Sequence, residues 1–87
     1  MSGYEWDENK RRANRVKHGV EFADIKAFDW ESARVKSVPG AVENRWVAIG
    51  FIGGRLHVAV YTIRGERVRI ISLRKANARE ARHHAQT

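Results

Sequence analysis

The chain has 87 residues, with 17 Lys and Arg against 10 Asp and Glu, a net charge of +7 and 43% hydrophobic residues. That length supports one domain with a small core, so residues 1–87 are expected to form a single unit. The basic excess points to an acidic partner, nucleic acid foremost, and the lack of cysteine excludes disulfides and thiolate metal sites.

Tyr4–Trp6 reads as a short first strand. Asp7 is placed to cap a helix over residues 8–18, with Glu8 near its positive end and Lys17, His18 and Gly19 at its close. Ala13 and Val16 are the only apolar stripe of that helix, which should therefore lie on the surface. A second helix is expected over residues 21–28, where Phe22, Ile25 and Phe28 recur every three residues. From Ala33 the period drops to two, and a strand through Val35 and Val38 ends at Pro39-Gly40. Trp46–Ile52 is the next strand, Gly53-Gly54 a two-residue turn, and Arg55–Ile63 the strand that returns. Arg64-Gly65-Glu66 turns into a further strand ending at Lys75. Asn77 and Glu80 form a capping-box pattern for a last helix over residues 78–86. The order β-α-α-β-β-β-β-α predicts an α+β fold, a small antiparallel sheet with helices packed on one face.

The last strand carries the chemistry. It interleaves Arg64, Arg67, Arg69, Arg74 and Lys75 with Val68, Ile70, Ile71 and Leu73. Strict alternation puts Arg67 and Arg69 with Ile71 and Leu73, and Arg74 with Val68 and Ile70, so neither face is wholly apolar. A β-bulge would shift that assignment. An unpaired guanidinium is costly to bury, so these arginines should meet anionic oxygens at a surface, and the guanidinium fork fits phosphate. RNA can be cut without metal when a protein orients the 2′-hydroxyl, takes its proton and stabilises charge on phosphorus. Arg64, Arg69 and Arg74 are the candidates for that charge, with Arg45, Arg67 and Lys75 as substrate contacts. Tyr61 and Glu43 are candidates for proton transfer, with His57 and His18 as alternatives. No metal-ligand spacing accompanies the histidines and no cofactor is expected. No apolar run approaches the ~18 residues of a membrane helix, and the acidic start Glu5, Asp7, Glu8 is unlike a signal peptide, so a cytoplasmic setting is expected.

Several segments in order resemble the BrnT toxins. They are Glu5-Trp6-Asp7-Glu8-Asn9-Lys10, then Asn14, Lys17-His18-Gly19-Val20, Arg45-Trp46-Val47-Ala48-Ile49-Gly50, and Tyr61-Thr62-Ile63-Arg64-Gly65. Arg69-Ile70-Ile71-Ser72, Arg74-Lys75-Ala76 and Glu80 complete the set. The resemblance implies a RelE-like fold and an RNA-cleaving toxin of a type II toxin–antitoxin pair. It also implies a BrnA-like ribbon-helix-helix antitoxin as partner, in a hetero-oligomer that represses its own operon by binding operator DNA. The loop before Arg45 departs from the pattern in being short, with Val42 where a polar residue is usual. The residues leave a second reading open, a non-catalytic basic module that binds nucleic acid or docks an acidic antitoxin.

Overall fold

The computed structural model describes residues 3–86. Its elements are β1 (Tyr4–Trp6), α1 (Glu8–His18), a 3-10 helix (Phe22–Ala27), β2 (Arg34–Val38), β3 (Arg45–Ile52), β4 (Arg55–Arg64), β5 (Arg67–Lys75) and α2 (Ala78–Gln86). The five strands form one sheet in the order β1-β5-β4-β3-β2. The sheet is mixed rather than antiparallel, because β1 runs parallel to β5 with Tyr4 beside Val68 and Trp6 beside Ile70. A strand that begins the chain and pairs with the last strand needs a long crossover, and everything from α1 to β4 serves as one.

The Asp7 carboxylate starts α1 by accepting the Lys10 amide at 3.0 Å, and that bond holds its pKa below the ordinary carboxylate value. Gly19 ends the helix at φ 71°, the left-handed conformation glycine adopts without strain. The expected apolar stripe is not what docks this helix: Val16 is 89% exposed, and the buried residue of α1 is Asn14. Its side chain bonds the backbone of Leu73 on β5 in both directions, at 2.7 and 3.2 Å, and also the Val20 carbonyl.

The second predicted helix is a 3-10 helix. Phe22, Ile25 and Phe28 are spaced by three, which matches three residues per turn better than 3.6, so each stacks on the last. Glu21 makes no side-chain cap and instead pairs with Arg11 at 3.2 Å and Arg15 at 3.1 Å. These apolar residues join Ala48, Ala59, Tyr61, Val68, Ile70 and Leu73 in the main core. Gly50 on β3 permits the contact with Phe28, since a Cβ there would sit 2.7 Å from the Phe28 ring.

The helices do not gather on one face. The 3-10 helix covers the main core, whereas α2 lies on the opposite side, against Phe51 and Leu56. No residue of α2 is buried. Asn77 and Glu80 cap it reciprocally, at 2.8 and 2.9 Å, and a bidentate Arg74–Glu80 pair at 2.8 Å ties it to β5. Leu56, Val58 and Ala76 form a small second core beneath it with Val47 and Ile49. No helix among the described residues is long and apolar enough to cross a membrane.

Candidate active site

A β-bulge decides which way the arginines of β5 point. Val60 pairs with Ser72, but the next residue, Tyr61, pairs with Ile70, so Ile71 is an extra residue on β5. The alternation changes phase there. Val68, Ile70 and Leu73 all turn into the core, at 4%, 0% and 0% exposure. Arg67, Arg69, Ser72 and Arg74 then share the opposite face.

Register places further residues on that face. Thr62 stands beside Arg69, Arg69 beside Glu5, and Arg64 beside Arg67 across the Gly65 hairpin. One step beyond the Trp46–Tyr61 pair, Arg45 at the start of β3 neighbours Thr62. A row therefore crosses four strands as Arg45, Thr62, Arg69, Glu5, with Arg64 and Arg67 in the row below. Adjacent strands lie about 4.8 Å apart, so Arg45 and Arg69 flank Thr62 with backbones about 10 Å apart. Two guanidiniums that far apart can converge on one phosphate.

Carboxylates hold three of these arginines. Glu5 lies 2.7 Å from Arg69 and 3.2 Å from Arg67. The parallel pairing of β1 delivers it, and it offsets the repulsion of neighbouring like charges. Glu43, in the loop before β3, lies 3.5 Å from Arg64. That loop is fastened by the buried Thr62 hydroxyl, which donates to the Asn44 carbonyl at 2.8 Å. Arg45 is exposed and has no ion pair among the described residues.

The structure brings together Arg45, Arg64, Arg67, Arg69 and Glu43 from the predicted set, and separates the rest. Arg74 stands opposite Val58, four residues along β4 from Thr62 and so about 13 Å from the Arg69 row. Its fork is closed on Glu80, whose pKa that contact lowers to about 2. Lys75 follows it and points to the other face. Tyr61 lies on the core face at 6% exposure, stacked on Trp46 at 6.1 Å and edge-on to Trp30 at 5.3 Å. Burial pushes its pKa up, which makes it a poor proton donor or acceptor near neutrality. His57 is buried on the same face, its Nδ1 donating to the Arg55 carbonyl at 2.8 Å. His18 ends α1 beside the edge of β5, and burial, Lys17 and Arg74 lower its pKa.

Glu5 and Thr62 escaped the sequence reading. Both are placed by pairing between strands distant in sequence, which no local pattern encodes.

Comparison with known proteins places the chain in a family. A family model described as "Ribonuclease toxin, BrnT, of type II toxin-antitoxin system" matches residues 6–80. The crystal structure of the Brucella abortus ribonuclease toxin BrnT superposes with a TM-score of 0.69 at 34% identity, covering 88% of this chain and 99% of that one. No curated protein matches. With a family model spanning most of its length and a solved relative sharing its fold, the chain belongs to the BrnT family, the ribonuclease toxins of type II toxin–antitoxin systems.

Proposed function

We propose that the chain is a metal-independent endoribonuclease that inhibits translation by cutting RNA, and that Arg45, Arg64, Arg67 and Arg69 form its phosphate site. The observation that carries this reading is the bulge at Ile71, which collects Arg67 and Arg69 on the open face beside Arg64 and Arg45. The 2′-oxygen attacks the adjacent phosphorus and the bond to the 5′-oxygen breaks. This leaves a 2′,3′-cyclic phosphate and a 5′-hydroxyl. Glu43 takes the 2′ proton. It is held by one long contact to Arg64, whereas both oxygens of Glu5 are engaged by Arg67 and Arg69. Water supplies the proton to the leaving oxygen. Arg69, locked by Glu5, aims its remaining N–H donors at the charge developing on phosphorus, so little reorganisation accompanies the reaction. Tyr61 and Lys75 take no part, and Arg74 holds α2.

A BrnA-like ribbon-helix-helix antitoxin neutralises the toxin in the cytoplasm by covering this basic face, and the complex binds operator DNA. A second reading has some support, because Arg64, Arg67, Arg69 and Arg74 each already face a carboxylate. A non-catalytic docking module would look the same, and would bind RNA in a salt-dependent way without making product.

The test is cleavage of a long RNA by antitoxin-free protein in excess EDTA, beside an Arg64→Ala/Arg69→Ala variant. We expect cyclic-phosphate ends from the parent and a loss of about 100-fold or more in the variant. Equal cutting by both would remove the arginines from the chemistry. Binding without product from the parent would favour the docking module.

A further inference from the structure

The edge of β5 changes character where β1 stops. The pairing of β1 ends at Trp6 and Ile70, so from Ile71 onward no strand covers that edge. Helix α1 runs beside it instead, and a groove of about 220 Å³ opens between them. Lys10, Ala13, Asn14, Lys17, His18, Ile71 and Ser72 line it, and none is acidic. The arginine face is different, for most of its cations sit against Glu5, Glu43 or Glu80.

Lys10 and Lys17 are seven residues apart, two turns of helix, so both lean over the same groove about 10 Å from one another. Both are exposed, and neither has an ion pair among the described residues. The two carboxylates nearest Lys10 in sequence are engaged, Glu8 by Trp6 and Arg11 and Asp7 in capping the helix through the Lys10 amide. Arg74 adds positive potential from the far side, felt at His18.

The groove also communicates with the arginine face. Ser72 belongs to both, as it lines the groove and shares the face of Arg69. Its partner Val60 is two residues along β4 from Thr62, so the Ser72 row lies about 7 Å from the row of Arg45, Thr62 and Arg69. That is close to the length of one nucleotide in an extended strand. A strand seated on the arginines can therefore step past Ser72 and over the edge of the sheet without crossing a negative group.

We propose that this groove is a second phosphate-binding site, in which Lys10 and Lys17 hold the backbone of the RNA strand that runs on from the arginine face. Ser72 offers a hydroxyl on the way and Ile71 an apolar floor for a sugar or base. The site deepens the ribonuclease reading, taking from it only that the ligand is RNA. It explains why α1 keeps lysines on the side turned toward the sheet edge, where packing alone would place apolar residues.

The experiment measures binding of the intact protein to uncleavable 2′-O-methyl RNA across a salt series, for a long oligomer and for a trinucleotide. The parent is compared with Lys10→Ala/Lys17→Ala and with a charge-matched control, Arg12→Ala/Lys26→Ala, whose residues lie outside the groove. We expect the groove variant to bind the long oligomer about tenfold more weakly, with a salt slope shallower by about 1.4, or 0.7 for each lost phosphate contact. The loss should shrink for the trinucleotide, which is too short to span both places. Equal losses in groove variant and control would overturn the proposal, as would an equal loss for both oligomers. Cleavage is scored separately. A parent that binds as expected but never cuts would remove the ribonuclease reading and leave the groove standing. A parent that cuts while the groove variant binds normally would do the reverse.

Discussion

Asn14 completes an open edge of the sheet with one amide. Its Nδ2 donates to the carbonyls of Leu73 and Val20 and its Oδ1 accepts the Leu73 N–H. The side chain is 7% exposed, so water does not readily replace those bonds. Asn14→Ala leaves one buried N–H and two carbonyls without partners, each costing about 1–3 kcal/mol. We expect a loss near the low end of the sum, about 3 kcal/mol, in urea unfolding, and Asn14→Leu should recover little of it despite its volume. A loss below about 1 kcal/mol would show that the edge does not depend on the amide. Glu80 offers a second residue-scale test. Arg74 holds its folded-state pKa at about 2, below the ordinary 4.5. A depressed carboxylate stabilises the fold above the unfolded value and loses that contribution as protons bind in the folded state. The docking of α2 should thus be complete above pH 4.5 and weaken progressively toward pH 2, read as helical circular dichroism or as amide protection in α2. Glu80→Gln should flatten that acid response, and an unchanged titration in the variant would assign it elsewhere. Asn77 and Glu80 were legible as a capping box because that signal is local, four residues long. The Arg74–Glu80 pair was not, since it depends on the direction in which α2 leaves the sheet.

The elements of this fold were legible to the degree that their signals are local. Asp7 and Gly19 bound α1, and Gly53 and Gly65 turn the hairpins at φ 60°. The 3-10 helix was visible as a spacing of three but was expected as an ordinary helix, because period alone separates the two poorly over six residues. Two features were beyond local reading. The parallel pairing of β1 with β5 joins the two ends of the chain, and the placement of α2 on the opposite face follows from where Ala76 leaves β5. The bulge lies between these cases. The clash in alternation along β5 fitted either a strand with wet ends and a covered middle or a bulge, and the pairing shows a bulge at Ile71. Deleting Ile71 removes the extra residue and leaves Val68, Ile70 and Leu73 toward the core in strict alternation, with Arg67, Arg69, Ser72 and Arg74 opposite. An alanine inserted between Val68 and Arg69 instead puts the two halves of the strand out of phase, so one of them must turn over. We expect ΔIle71 to keep cooperative thermal unfolding and the insertion to lose it. A ΔIle71 protein that fails to fold, beside an insertion that melts as the parent does, would overturn this reading of the bulge.

At the scale of the whole molecule, charge is sorted by face. One side of the sheet is sealed by the main core, and the other carries the arginine rows, with α2 and its acidic Glu80 at one end. The net charge announced an anionic partner, and the arginines named the strand that would meet it. Which of them act together was hidden, because Arg45 joins Arg69 only through the pairing of three strands, and Tyr61 seemed available only while its face was unknown. The bulge has one more consequence, for the shape of the basic face. An extra residue bends the strand that carries it and sharpens its right-handed twist. The rows on either side of Ile71 are therefore turned relative to one another, and Arg67 and Arg69 face a slightly different direction from Ser72 and Arg74. The face is a curved saddle rather than a flat panel.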